Sequence, residues 1–277
     1  MIDGDTKLIA HIGYPTASFR APSIYNPWFA RRGINAVVVP VGVTSENFRE
    51  AFPQICRFTN FHGALITMPH KAAVVDWLDE ASAAVRVAGA CNAVRRGGGG
   101  KLIGNMFDGE GFVRATAGAG RKIAGQRILV VGVGGVGSAI AAACAKAGAR
   151  EIALYDTRAE AAQRLADRLR RNYPRLNLSL GSNDPSSFDI AVNATPLGTY
   201  PGDPLPMDPS RLSPSALVGE VVLKPETTAF LAAAKARGFA CVTGLDMLFE
   251  QIPAYLEFFG FPPATAAELR ETAEMKD

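Results

Sequence analysis

An α/β fold in two domains with parallel-rich sheets follows from three features of the sequence. Short apolar runs alternate with segments of helical composition from Leu8 onward. One run, Arg127–Val131, ends directly in Gly132, Gly134, Gly135 and Gly137 and opens into an Ala-rich segment, Ser138–Ala149. A further run, Glu151–Asp156, follows the turn Ala147-Gly148-Ala149 and places a carboxylate about 20 residues past those glycines.

A strand that ends in Gly-x-Gly-x-x-Gly and opens a helix is the phosphate-binding turn of a Rossmann NAD(P) domain. Gly132 lets the chain turn tightly, Gly134 lets backbone approach the pyrophosphate, and Gly137 lets the helix pack close to the strand. The first helical residues, Gly135 and Val136 among them, offer unpaired N–H groups and a positive dipole end to phosphate. Asp156 stands where a carboxylate accepts from the adenosine ribose hydroxyls and repels a 2′-phosphate, so NAD is the expected cofactor and NADP the less favoured one. Arg158 could reach a 2′-phosphate. Asp156 could also cap the helix that follows.

The chain has 277 residues, 48% of them hydrophobic, enough to bury a sizeable core in two domains. Its net charge of +3 is too balanced for a nucleic-acid partner. Arg164, Arg168, Arg170, Arg171 and Arg175 read as helix-spaced surface charges. Cys56, Cys91, Cys144 and Cys241 are scattered and, with His11, His62 and His70, show no metal-ligand spacing. Free, mostly buried thiols suit a reducing compartment. The stretch Met1–Lys7 is polar and acidic, unlike a signal peptide, and no apolar run reaches about 18 residues. The expectation is a cytoplasmic enzyme with a small-molecule substrate and no metal, acting as a monomer or homodimer away from the membrane.

In chain order, Leu8–Gly13, Ala36–Val41 and Gly63–Thr67 read as strands. Helices are expected after Ala21-Pro22-Ser23, from Ser45, and over His70–Glu80. This is a βαβαβ pattern with a parallel sheet. Ala90–Arg95 and Leu102–Ile103 add strands around the flexible turn Gly97–Gly100. Asp108-Gly109 starts a helix over Glu110–Ala117 that leads into the second domain. Beyond the nucleotide unit come strands at Phe188–Ala194, Ala216–Leu223 and Cys241–Val242. Helices are expected at Thr227–Arg237, Leu245–Phe259 and Ala264–Met275, and Pro201–Pro214 is a surface loop.

Lys71 falls on the first turn of the His70–Glu80 helix, at the strand edge where ligands bind in open α/β sheets. A cation is disfavoured at a helix N-terminus, which points to function, with a solvated lysine as the alternative. Asp108 taken alone reads as a helix cap.

Taken together, several stretches resemble the shikimate dehydrogenase family along nearly the whole chain. They are Gly13-Tyr14-Pro15, Thr67-Met68-Pro69-His70-Lys71, Gly89-Ala90-Cys91-Asn92, Phe107-Asp108-Gly109, the glycine turn, Asn193–Gly198, and Gly244-Leu245-Asp246-Met247-Leu248 with Gln251. The resemblance implies a substrate domain over 1–107, a Rossmann NAD(P) domain over 108–240, and C-terminal helices over 241–277 returning to the substrate domain. It implies Lys71 and Asp108 as the catalytic pair, with Thr67, Asn92 and Gln251 hydrogen-bonding substrate hydroxyls. Asn193, Thr195, Pro196 and Met247 would lie on the cofactor side, Thr195 and Met247 bordering the nicotinamide.

The chain also departs from the family pattern. The usual His-Ser-x-Ser-Pro, whose serines hold the substrate carboxylate, reads Ser18-Phe19-Arg20-Ala21-Pro22. A tyrosine usual near the substrate is Leu223, the Asn-Thr before the aspartate is Met106-Phe107, and the NADP-type Asn-Arg-Thr is Asp156-Thr157-Arg158. Arg20 could replace the lost serines with one charge-assisted contact. The expected activity is an NAD-preferring oxidoreductase interconverting a ring alcohol and ketone on a shikimate- or quinate-like substrate, altered at its carboxylate. The alternative is a non-catalytic relative that binds nucleotide or ring acid.

Overall fold

The computed structural model describes residues 2–275. Met1, the first residue of the N-terminal stretch, lies outside the described residues, as do Lys276 and Asp277. The chain divides into two compact units. Unit 1 holds the residues up to Arg86, Ala90–Phe107 and those from Ile252 onward, and unit 2 holds Val87–Gly89 and Asp108–Gln251.

The elements run β1 (Lys7–Gly13), α1 (Ala21–Arg31), β2 (Ala36–Gly42), α2 (Ser45–Ile55), β3 (Phe61–Ile66), β4 (Glu80–Ala81), α3 (Ala83–Ala88), β5 (Ala93–Arg96) and β6 (Leu102–Asn105). They continue with α4 (Asp108–Gly118), β7 (Arg127–Val131), α5 (Gly135–Lys146), β8 (Glu151–Tyr155), α6 (Ala159–Asn172), β9 (Asn177–Leu180), β10 (Ile190–Asn193) and β11 (Leu217–Glu220). Last come α7 (Ala229–Ala236), β12 (Ala240–Val242), α8 (Gly244–Phe258) and α9 (Ala266–Thr272).

The sheet of unit 2 has the order β12-β11-β10-β7-β8-β9, and every ladder in it is parallel. This is the doubly wound Rossmann order, with the reversal between β7 and β10. Its central strands are buried on both faces, which is why they read as continuous apolar runs. Leu129, Val131, Ala191 and Val218 pack with Phe230 and Ala234 of α7. The edge strand β9 escapes sequence reading because Asn177-Leu178-Ser179-Leu180 is short, mostly exposed and half polar. Unit 2 keeps β12 and the first half of α8, because β12 pairs with β11 and Gly244 abuts the Val222 carbonyl.

The sheet of unit 1 has the order β2-β1-β3-β5-β6-β4. The β1–β2, β1–β3 and β4–β6 ladders are parallel, as the βαβαβ pattern leads one to expect of the first three strands. The β3–β5 and β5–β6 ladders are antiparallel, so the sheet as a whole is mixed. The glycine turn after β5 closes a hairpin, which can only be antiparallel.

The expected helix over His70–Glu80 is corrected. Residues 68–72 form turns and only Ala73–Trp77 is helical, as a short 3₁₀ segment. Asp79 and Glu80 belong to the sheet: the Asp79 carboxylate accepts from Leu102 N–H and β4 pairs with β6. That pairing ends the helical span too early for a full α-helix. Arg168, expected at the surface, is half-buried and donates to the Val87 and Ala88 carbonyls at 2.8 and 3.0 Å, closing the end of α3. Arg175 lies beyond α6, which ends at Asn172.

Candidate active site

In unit 1 the carboxyl ends of β1 and β3 converge. Thr67 N–H donates to the Ile12 carbonyl, Tyr14 N–H to Met68 and His70 N–H to Thr67, each at 2.9 Å. Gly13 makes this approach possible, since a Cβ there would lie 2.4 Å from Thr67 Cγ2 and 2.7 Å from the Met68 carbonyl. Lys71 follows on the turn, half-buried, its carbonyl accepting from Cys91 N–H at 2.7 Å. Without a following α-helix, the dipole argument for Lys71 falls away, and its place at this edge carries the case. Asn92 is buried and joins three segments. Its carbonyl accepts from Ile66 N–H, its N–H donates to Asn105, and its Oδ1 accepts from Phe107 N–H at 3.0 Å. The residue before Asp108 is therefore anchored.

His11, not singled out as a site residue by its sequence, lies at the same edge. Its ring stacks on Phe19, with centroids 4.0 Å apart and 28° between planes. Its Nδ1 is buried without a partner. Burial, and secondarily the Lys71 cation, push its pKa down to about 3. Phe19 ends the short 3₁₀ turn Thr16–Ser18, and half-buried Arg20 occupies the N-cap of α1.

Unit 2 carries Asp108 as the first residue of α4, only 3% exposed. The helix starts there and not at Glu110. α4 lies against two backbones: a Cβ on Gly109 would be 2.1 Å from the Ala139 carbonyl, and one on Gly111 2.5 Å from the Met247 carbonyl. Met247 and Gln251 are buried on α8, and Gln251 Oε1 has no partner. The Gly244–Leu248 motif starts that helix. Asp246 accepts from Thr243 N–H and hydroxyl, and Thr243 Oγ1 accepts from Asp246 N–H, a reciprocal cap.

The glycine turn meets the requirements of a pyrophosphate cradle. Gly132 takes φ +93°, and a Cβ on Gly137 would sit 1.9 Å from the Gly132 carbonyl. Gly134 is the N-cap of α5, with open space beside it, and Gly135 and Val136 begin the helix. Asp156 accepts from Val133 N–H at 2.9 Å through Oδ2, and from Arg158 N–H and Nε at 2.9 and 3.2 Å through Oδ1. Burial pushes the Asp156 carboxyl up, but these donors outweigh it and hold it below its ordinary value. The N-cap of α6 is Arg158, so Asp156 does not cap that helix. A cavity of about 350 Å³ beside Asp156 is lined by Leu154, Ala162, Gln163 and Leu180.

At the carboxyl end of β10, Asn193 Oδ1 accepts from Thr195 N–H and hydroxyl, and Leu197 N–H donates to Thr195 Oγ1. Pro196 follows, its carbonyl accepting from Thr199. Glu220 and Thr228, absent from the residues expected of the site, hold this loop from below. A charge inside the apolar run of β11 was the sequence signal for Glu220.

Residues 11–94 match the family profile of the shikimate dehydrogenase substrate binding domain, and residues 112–158 that of the ThiF family. A curated relative from Rubrobacter xylanophilus, "Shikimate dehydrogenase (NADP(+))", is 38% identical over 97% of this chain and 96% of its own. A 5-ketofructose reductase from a Gluconobacter species superposes with TM-score 0.84 at 28% identity, covering 96% of this chain and 97% of that one. A quinate dehydrogenase from Corynebacterium glutamicum, solved with NAD, superposes with TM-score 0.84 at 28% identity, covering 96% and 98%.

Proposed function

Because this chain belongs to the shikimate dehydrogenase family and is an oxidoreductase using a nicotinamide cofactor, we propose that it interconverts a secondary alcohol and a ketone on a polyhydroxylated substrate, with Lys71 moving the proton. The observation that carries this reading is the position of Lys71 at the joined carboxyl ends of β1 and β3, the edge where such sheets bind ligands.

When bound, the nicotinamide ring accepts or supplies the hydride. Lys71 takes the hydroxyl proton as the alcohol is oxidised and returns it to the oxygen as the ketone is reduced. Asp108 is the second member of the catalytic pair that the family pattern assigns. Thr67, Asn92 and Gln251 hold further hydroxyls, and the unpartnered Gln251 Oε1 supplies an acceptor ready for one. Gly132, Gly134, Gly135, Val136 and Gly137 cradle the pyrophosphate, the cavity beside Asp156 takes the adenine, and Thr195, Pro196 and Met247 border the nicotinamide. NAD is the preferred nucleotide on the strength of Asp156, although the Rubrobacter relative is named for NADP(+).

The parent substrate is a shikimate- or quinate-like ring polyol, altered where relatives of the usual pattern grip a carboxylate. Phe19 and Ala21 supply no hydroxyl there. A protein named 5-ketofructose reductase shares the fold, which supports an uncharged polyol. All four cysteines are free, in keeping with a cytoplasmic enzyme, and every role named falls to one chain, whether monomer or homodimer.

The test is a nicotinamide-absorbance screen over shikimate, quinate and uncharged keto-polyols, repeated on Lys71→Ala. The variant should bind dinucleotide normally and lose about 100-fold or more in turnover. Wild-type turnover by Lys71→Ala would remove the reading.

A further inference from the structure

We infer that Glu220 is a positioning residue: it decides which way the Asn193 amide faces, and through it sets the Thr195–Leu197 turn. The inference rests on the reading of that turn as the nicotinamide border.

Glu220 is the last residue of β11 and is completely buried, as are Asn193 and Thr228. Among the described residues, the groups that hydrogen-bond its carboxylate are all donors. Val221 and Val222 N–H reach Oε1 at 2.8 and 3.0 Å, the Thr228 hydroxyl reaches Oε2 at 2.9 Å, and Asn193 Nδ2 lies 3.0 Å from both oxygens. Burial pushes this carboxyl up while the donors oppose it. An acceptor-only group is what such a donor set requires.

The same carboxylate orients Asn193. With Nδ2 turned to Glu220 and to the Leu197 carbonyl at 3.0 Å, Oδ1 is left to accept from Thr195 N–H at 3.1 Å and Thr195 hydroxyl at 2.6 Å. A flipped amide would set Oδ1 against the carboxylate and Nδ2 against Thr195 N–H, two like-for-like contacts among buried groups. Asn193 is therefore locked, and Thr195 with it. A Cβ on Gly132 would lie 2.8 Å from the Ala194 carbonyl, so the locked turn also lies against the phosphate loop.

Two substitutions expose this logic. Glu220→Gln brings an NH₂ group against the Asn193 NH₂ or the backbone donors. Asn193→Asp sets two carboxylates face to face. Together they restore the contact between the two side chains: the amide introduced at position 220 can donate to the carboxylate introduced at position 193, while its oxygen keeps Val221 and Val222 N–H, and only the Leu197 carbonyl stays without the donor that Asn193 gave it.

The experiment measures melting temperature without ligand and titrates NADH, NADPH and ADP-ribose, which lacks the nicotinamide, on wild type, both single variants and the double. Each single variant should melt lower and bind the reduced dinucleotides about tenfold more weakly, with ADP-ribose changed by less than about twofold. The double variant should recover part of both losses and do better than the two single effects added together, with the Leu197 carbonyl still without its donor. Folding by the double variant where the singles fail also supports the inference. Parallel losses for NADH and ADP-ribose, unchanged NADH binding in a folded Glu220→Gln protein, or an unrecovered double variant would each overturn it. A wild type that bound neither NADH nor NADPH would overturn the functional reading and the positioning role together. An unrecovered double variant beside a wild type that binds overturns the positioning role alone.

Discussion

The Phe19 ring lies on the His11 imidazole at 4.0 Å and 28°, and covers it. Stacking turns two side chains at the mouth of β1 into one apolar wall, in the place where the family pattern has serine hydroxyls. The wall has a polar flaw, the buried and unpartnered Nδ1 of His11.

That wall sets a substrate prediction. A carboxylate against it would lose water without gaining donors, which is costly. Shikimate should therefore be a poor substrate, with a high KM as the main symptom, because the missing contacts serve ground and transition state alike. Phe19→Ser with Ala21→Ser should lower that KM, more so with Leu223→Tyr added. Efficient shikimate turnover by the unaltered protein, undisturbed by Arg20→Ala, would refute this.

His11 sets a pH prediction. In the unfolded chain a histidine takes its proton near pH 6.5, whereas burial and then the Lys71 cation hold His11 at about 3 in the fold. Between these values the unfolded chain binds more protons, so stability rises with pH and falls on acidification. The contribution is fully present above about pH 6.5 and is lost towards pH 3, at up to about 1.4 kcal/mol per pH unit. His11→Phe, which keeps a ring against Phe19, should flatten that slope in urea midpoints taken across the window. An unchanged slope would rule out His11 as its source.

The Asp156–Arg158 pair sets a cofactor prediction. Asp156 holds Arg158 through Oδ1, while Oδ2, which accepts only from Val133 N–H, keeps a lone pair for a ribose hydroxyl. Asp156→Ala should weaken NAD by about 1.5–3 kcal/mol, the scale of a hydrogen bond to a charged group, and shift preference towards NADP. Arg158→Ala should leave NAD binding nearly intact. Calorimetric titration of both nucleotides decides it, and tighter binding of NADP than NAD to the unaltered protein would transfer the discrimination to Arg158.

The nucleotide half was legible because its signals are local. Gly132, Gly137 and Asp156 act within one strand–turn–helix–strand unit, and their spacing carries the geometry. The rest depends on distant partners. The helix expected over His70–Glu80 shrank to a 3₁₀ segment after the Lys71 turn because Asp79 and Glu80 pair with β6, more than twenty residues on. β5 runs against β6 because the glycine turn between them makes a hairpin. Glu220 and Asn193 lie 27 positions apart, and nothing near either one announces their contact. His11 reads as one more residue of an apolar strand until Phe19 and Lys71 are folded beside it.

The close approach of α4 at Gly109 and Gly111 bears on how loss-of-function data would be interpreted. A methyl at either position meets main-chain oxygen that has nowhere to retreat. Substitution there would abolish turnover as completely as substitution of Asp108 next door, through displaced helix axes with the chemistry untouched. In a saturation screen scored on turnover, positions 108, 109 and 111 would form one block of intolerance. Only a parallel readout of folded protein would divide it, with the aspartate variants soluble and silent and the glycine variants missing.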